Sequence, residues 1–132
     1  MIKAIIFDYF GVIYDTEVRR LNEELLVYIK KLNKKYKVSL LSNAGRGVIQ
    51  GGLSEESLQL FHDIVVSADV GMTKPNHKIF ELAAQRLEVN AAECVFVDDI
   101  ERYCVGARDA GMKAILYHDL VSLKKDLELI LG

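Results

Sequence analysis

The sequence contains little of several features that mark other classes of protein. Its 132 residues include one proline and two cysteines, and 17 basic residues nearly balance 19 acidic ones. A net charge of −2 provides no basic field for a nucleic acid or an anionic membrane, so we expect neither partner. The chain also has no internal repeat, low-complexity tract or linker.

The cysteines and the apolar runs exclude further classes. Cys94 and Cys104 lack the C-x-x-C and zinc-ligand spacings and lie among apolar residues, so we expect buried thiols. The N-terminal run MIKAIIFDYF is interrupted by Asp8, is too short to span a membrane and has no small-residue cleavage site. We therefore expect a cytoplasmic protein, folded as a single domain over residues 1–132.

Apolar runs alternate with amphipathic stretches along the chain. Runs without polar alternation predict five strands buried on both faces, at residues 2–7, 38–41, 64–66, 94–97 and 114–117. Helical spacing of apolar residues predicts helices over 18–32, 79–87, 100–107 and 120–130. Asn76 and Ser54 are expected helix N-caps, and Gly111 is expected to end a helix. This alternation predicts a Rossmann-like three-layer α/β/α sandwich with a mostly parallel five-stranded sheet.

Polar side chains follow four of the predicted strands. In open parallel sheets, ligands bind outside the carboxyl ends of the strands, so these side chains are expected to share one edge. Carboxylates at close quarters repel one another unless a cation lies between them, and hard oxygen ligands suit Mg²⁺. The residues concerned are Asp8, Ser42 with Asn43, Thr73 with Lys74, and Asp98 with Asp99.

Four segments resemble, in order and spacing, the motifs of the haloacid dehalogenase-like hydrolase superfamily. They are IIFDYFGV, LLSNA, the Lys74-Pro75 pair in GMTKPNHKIF, and VFVDDIERYCVGARDAGM. Each segment is short, but together they extend over nearly the whole chain. The resemblance implies a Mg²⁺-dependent phosphatase acting on a phosphorylated compound.

The resemblance also assigns roles around the metal. It implies that Asp8 is the nucleophile and forms an aspartyl-phosphate. Mg²⁺ would lie between Asp8, the backbone carbonyl of Phe10 and Asp98. Asp99 would contact a metal-bound water or the lysine.

The resemblance also implies which residues bind the phosphate group of the substrate. Ser42 is the expected phosphate-binding hydroxyl, assisted by free N–H groups of Asn43 and Ala44. Lys74 would neutralise charge on the nucleophile and on the phosphoryl oxygens.

The sequence departs from the family pattern at two positions. Phe10 stands where phosphatases of the family usually have a second aspartate, which acts as general acid and base. Because such catalysis is worth about 10²–10⁴-fold, we expect low turnover or a requirement for good leaving groups. Tyr103 stands where an asparagine or aspartate is common, so one anchor of the metal site is expected to be missing. Asp15 or Glu17 could replace the missing acid, although acids near a helix start commonly serve the helix dipole.

The segment 17–36 is expected to hold barely one helix, whereas many relatives have a helical cap domain there. We therefore expect a family member with no cap domain and an open site. Such a site would act on a macromolecular substrate, be covered by a second subunit in a homodimer, or have weak activity.

Two alternatives to the phosphatase stay open: an inactive binding or regulatory module with the same fold, and a dehalogenase-type hydrolase. Arg46, in the glycine-rich run 44–52, could hold an anion, although a solvated arginine is favoured.

Overall fold

A computed structural model describes residues 1–132. The strands are β1 (Ala4–Phe7), β2 (Tyr14–Asp15), β3 (Arg20–Leu21), β4 (Lys37–Ser42), β5 (Asp63–Val66), β6 (Cys94–Asp98) and β7 (Lys113–Leu116). The helices are α1 (Glu23–Leu32), α2 (Val48–Gly52), α3 (Glu55–Leu58), α4 (Ser67–Val70), α5 (His77–Arg86), α6 (Glu101–Asp109) and α7 (Leu120–Leu131).

The main sheet has five parallel strands in the order β5-β4-β1-β6-β7. The chain builds outward from β1 through β4 to β5, then returns to the other side of β1 for β6 and β7. This topology confirms the predicted Rossmann-like α/β fold and all five predicted strands. The reversal places the carboxyl ends of β1, β4 and β6 side by side, where ligands bind in sheets of this type.

Both faces of the sheet are covered. Side chains of β1 alternate between two hydrophobic clusters: Ile5 and Phe7 belong to one of 21 buried residues, and Ile6 to one of 13. The larger cluster includes apolar residues of α1 and α7, and the smaller includes those of α5 and α6. A strand covered on both sides needs apolar residues at every position, which is why these strands lack polar alternation.

The helix termini match the predicted caps. The Asn76 side chain accepts from the Lys78 N–H at the start of α5, and Ser54 accepts from the Ser57 N–H at the start of α3. Gly111 has a φ of 97°, two residues after the last residue of α6. The glycine-rich run forms a loop followed by the short helix α2, as its composition indicates.

The helix predicted over residues 18–32 begins later than expected. Residues 14–15 and 20–21 pair as the antiparallel strands β2 and β3, and α1 starts only at Glu23. The Asn22 side chain accepts from the Leu25 N–H and caps α1, and it also donates to the hydroxyl of Tyr117. Val18 is 55% exposed, so its helical spacing from the buried residues of α1 was coincidental.

Both cysteines are free and buried, as predicted. None of the helices combines the length and apolar character needed to cross a bilayer. Between β3 and β4 the chain holds the single helix α1.

Candidate active site

One polar side chain lies at the carboxyl end of each of three neighbouring strands, at the same edge of the sheet. Asp8 follows β1, Ser42 is the last residue of β4, and Asp98 is the last residue of β6. All three are buried, with Asp8 5% exposed and Asp98 fully covered. The sheet topology therefore brings together residues that are far apart in the chain.

Lys74 reaches this edge from the loop between α4 and α5. Its ammonium donates to Asp8 Oδ1 at 2.7 Å and to Asp98 Oδ2 at 2.8 Å. Because the lysine is only 3% exposed, these charge-assisted hydrogen bonds form away from water and are stronger than surface ion pairs. Lys74 thus joins the ends of β1 and β6.

The Asn43 side chain holds the backbone of this loop in place. Its Oδ1 accepts from the Lys74 N–H at 2.9 Å, and its Nδ2 donates to the Lys74 carbonyl at 3.2 Å. The Lys74-Pro75 peptide is cis. Under the same loop, a Cβ at Gly106 would collide with the Pro75 carbonyl oxygen, so α6 can approach this closely only with glycine there.

Charge at the site is unbalanced towards the negative. Burial raises the pKa of Asp8 to about 7, and the Asp98 and Asp99 charges add to that rise although Lys74 opposes it. Burial also raises the pKa of Asp99, with further contributions from its hydrogen bond to Asp98 and from the Asp98 charge. One ammonium therefore does not compensate three carboxyl groups, and the site favours an additional positive charge.

The donor set fits a hard divalent cation. One carboxylate oxygen from each of Asp8, Asp98 and Asp99 lies within 4.8 Å of the others. Gly11, with a φ of 93°, makes room for this arrangement, because a Cβ at that position would collide with the Asp99 carboxylate. Carboxylate oxygens at this spacing suit Mg²⁺, which commonly binds one or two carboxylates, waters and a phosphate.

Phe10 lies two residues after Asp8 and forms an isolated β-bridge with Tyr14. Its ring is edge-on to the rings of Tyr9, at 4.8 Å between centroids, and Tyr14, at 5.6 Å. The residue is 41% exposed, so an aromatic group faces solvent at the position identified above as a departure from the family pattern. A phenyl ring can neither donate nor accept a proton.

A cleft of about 500 Å³ adjoins the carboxylates at Gly11 and Asp99. It lies between the β2–β3 hairpin and the start of α7, and its lining includes Asp15, Glu17 and Asp119. Asp15 Oδ1 accepts from the N–H groups of Glu17 and Val18, so this carboxylate stabilises the hairpin turn.

The loop after β4 carries the remaining predicted residues. Ser42 Oγ accepts from the Ala44 N–H at 3.1 Å, so this N–H is engaged within the protein rather than free. Arg46 pairs with Asp69 at 3.2 Å and donates to the Ala68 carbonyl, while its side chain is 76% exposed, as expected of a solvated arginine.

Two functional features escaped the sequence reasoning. The prediction for Asn43 concerned its N–H group, and the side chain in addition hydrogen-bonds the Lys74 backbone. Tyr103 was expected to mark a missing anchor, whereas its ring lies 4.8 Å from the Lys74 ammonium. No local pattern could have revealed either, because the partner residue is about 30 positions away in the chain in both cases.

The parallel α/β sheet is Rossmann-like, and its acidic cluster and buried lysine lie at the carboxyl edge, where ligands bind in such sheets. A family described as haloacid dehalogenase-like hydrolase matches residues 20–117. The chain belongs to this family. Ser42, Lys74, Asp98 and Asp99 lie within the matched segment, and Asp8 precedes it.

Relatives with assigned activities match shorter segments. The chain is 36% identical over 77 residues to bifunctional epoxide hydrolase 2 of Mus musculus, covering 58% of this chain and 14% of that protein. It is 45% identical over 56 residues to glyceraldehyde 3-phosphate phosphatase of Methanopyrus kandleri, covering 42% of this chain and 24% of that protein. The chain therefore aligns with less than a quarter of either relative.

A solved structure matches the whole fold. It is an enzyme of the same family from Bacteroides thetaiotaomicron, in complex with magnesium and inorganic phosphate, with a TM-score of 0.79. At 18% identity the match covers 93% of this chain and 99% of that one, and it confirms the fold.

Proposed function

We propose that this protein is a Mg²⁺-dependent phosphatase of low turnover in which Asp8 attacks the phosphorus atom. The observation that carries the proposal is the buried Lys74 ammonium, which bridges Asp8 and Asp98 at 2.7 and 2.8 Å with Asp99 alongside. Burying Asp8, Lys74 and Asp98 at a strand edge is costly for a purely structural role. An attacking carboxylate, a metal site and a charge-neutralising lysine together explain why they are retained.

The residues have distinct roles in this reaction. Asp8 displaces the alcohol and forms an aspartyl-phosphate, and water then releases phosphate and restores the carboxylate. Lys74 holds Asp8 and compensates charge on the phosphoryl oxygens. Ser42 and the N–H groups of Asn43 and Ala44 bind those oxygens, with the Ala44 N–H exchanging its Ser42 bond for a phosphate oxygen.

The metal would be held by Asp8, the Phe10 carbonyl and Asp98, with Asp99 close by. When bound, Mg²⁺ supplies positive charge that favours ionised Asp8 and offsets the charge of the phosphate. Asp8 must be ionised to attack, and a pKa of about 7 leaves part of it protonated at neutral pH without that added charge.

Phe10 determines which substrates are turned over well. With a phenyl ring at the position of the general acid, the leaving oxygen departs without a proton from that position. Acyl and aryl phosphates have leaving groups stable enough for this, whereas alkyl phosphates do not. The adjoining cleft has several acidic side chains and suits a leaving group without negative charge.

Two relatives support a small phosphorylated substrate. The archaeal relative is named for glyceraldehyde 3-phosphate, and the Bacteroides structure contains magnesium and inorganic phosphate. We place the activity in the cytosol, because two free buried thiols fit a reducing compartment. A macromolecular substrate and a homodimer covering the site stay predictions.

The test is hydrolysis of p-nitrophenyl phosphate and acetyl phosphate with Mg²⁺, comparing the wild type with Asp8→Asn. We expect phosphate release that needs Mg²⁺ and falls at least a hundredfold in the variant. Asp126→Asn, an exposed position on α7, is the matched control and should retain full activity. Equal rates in wild type and Asp8→Asn would refute the proposal.

The exposed ring of Phe10 favours a second candidate, a binding module that keeps the fold and metal site but catalyses nothing. That candidate predicts Mg²⁺ and phosphate binding without turnover of either substrate. A dehalogenase-type reaction is a further alternative and predicts halide release from a 2-haloacid.

A further inference from the structure

Tyr103, on the first turn of α6, lies against the Lys74 ammonium. The Lys74 Nζ lies 4.8 Å from the centroid of the Tyr103 ring, and the ring of Phe96 lies 5.3 Å away on β6. A cation within about 6 Å of an aromatic face is attracted by the ring quadrupole, most strongly where water is excluded. The Lys74 side chain is 1% exposed, so this contact is of the desolvated kind.

The hydroxyl of Tyr103 reaches the same lysine by a second route. It accepts a hydrogen bond from Asn43 Nδ2 at 3.3 Å. That amide also donates to the Lys74 carbonyl, while Asn43 Oδ1 accepts from the Lys74 N–H. Tyr103 therefore contacts the ammonium through its ring and the lysine backbone through Asn43.

The lysine requires such a support. An ammonium has three donors, and two of them are used on Asp8 and Asp98. The stem has four rotatable carbons, so the ring contact adds to the two hydrogen bonds that hold the ammonium between two strands. The ring attracts the ammonium without taking one of its N–H donors, whereas a carboxylate at position 103 would compete with Asp8 and Asp98 for those donors.

We infer that Tyr103 is the positioning residue for Lys74, holding the ammonium between Asp8 and Asp98 by its ring and locking the lysine loop through Asn43. Its role in catalysis rests on the proposed phosphatase function. The geometric role is independent of that function. Tyr103 thus supports Lys74 from the position at which an asparagine or aspartate was expected as an anchor of the metal site.

The kinetic test compares Tyr103→Phe, Tyr103→Met and Tyr103→Leu on p-nitrophenyl phosphate. Phe keeps the ring but loses the hydroxyl bond to Asn43, whose amide still donates to the Lys74 carbonyl, so kcat should fall by no more than about threefold. Met and Leu fill the space without a π face and should lower kcat about tenfold. A role in packing alone would make Met equal to Phe, and that result would overturn the inference. Tyr28→Leu removes a comparable ring 5.1 Å from Lys124, remote from the site, and should leave kcat unchanged.

A thermal unfolding cycle tests the contact without any need for turnover. Tyr103→Leu should lower Tm by about 4 °C more in the wild-type background than in Lys74→Met, where the ammonium is gone. Equal losses in both backgrounds would overturn the inference. If the wild type hydrolyses nothing, the phosphatase proposal fails while this cycle still decides the role of Tyr103; if Lys74→Met does not fold, the kinetic series decides it.

Discussion

Replacing Phe10 with aspartate should restore the missing general acid. Phe10→Asp places a carboxyl two residues after the proposed nucleophile, at a position that is 41% exposed. We expect it to accelerate hydrolysis of alkyl phosphates, whose leaving oxygen needs a proton, and to change that of p-nitrophenyl phosphate little. The discriminating quantity is the ratio of kcat/KM for the two substrates.

The size of the effect follows from the environment of the ring. General acid catalysis contributes about 10²–10⁴-fold, and an introduced carboxyl lacks supporting residues selected to orient it, so we expect the lower end, about a hundredfold. The stability cost is small. Phe10 is 41% exposed and loses two edge-on aromatic contacts, each worth about 0.5–1.5 kcal/mol when buried, so we expect a loss of roughly 1–2 kcal/mol.

The assay measures phosphate release from β-glycerol phosphate and p-nitrophenyl phosphate under saturating Mg²⁺. Phe10→Asn is the matched control, because it has the size and polarity of aspartate but no acidic proton. We expect the ratio to rise about a hundredfold in Phe10→Asp and to stay near the wild-type value in Phe10→Asn. An equal change for both substrates, or an equal effect of asparagine, would refute the role assigned to Phe10.

Two further predictions concern the carboxylates. The pKa of Asp8 is raised, so the folded protein binds a proton at this carboxyl more tightly than the unfolded chain does. In the absence of metal, the stability contributed by this tighter proton binding is fully present below about pH 4 and is lost as the pH rises to about 7. Asp8→Asn should remove this pH dependence. Between about pH 4 and about pH 7, the free energy of unfolding of the variant should rise relative to the wild type by on the order of 4 kcal/mol at most, measured by urea unfolding with EDTA. If the free energies of unfolding of both proteins change in parallel with pH, the assignment is contradicted. Gly11→Ala should cost roughly 1–3 kcal/mol and weaken Mg²⁺-dependent turnover, because it strains a positive φ and displaces the Asp99 carboxylate. The control is Gly51→Ala, where an added Cβ would meet open space and φ is not positive. It should be neutral or stabilising when both glycine variants are compared by thermal unfolding.

Local patterns in the sequence were sufficient for most of the fold. The strands could be recognised because a strand covered on both faces needs apolar residues throughout, and the caps because Asn76 and Ser54 bond to N–H groups two or three residues away. The helix start at Glu23 was missed, since Val18 and Leu21 continue the apolar spacing of α1 by chance. A tertiary contact, from Asn22 to Tyr117, accompanies the true start.

The sequence by itself determined the sheet and the strand ends from which Asp8, Ser42 and Asp98 project, because burial and periodicity are local properties of the chain. It could also nominate Lys74, through motif spacing. Only the tertiary structure decided the contacts of Lys74. Its ammonium bridges two carboxylates, its backbone is hydrogen-bonded by the Asn43 side chain, and the Tyr103 ring lies against its ammonium. These contacts depend on how strands and loops distant in the chain pack together, and no local pattern records the distance between such atoms.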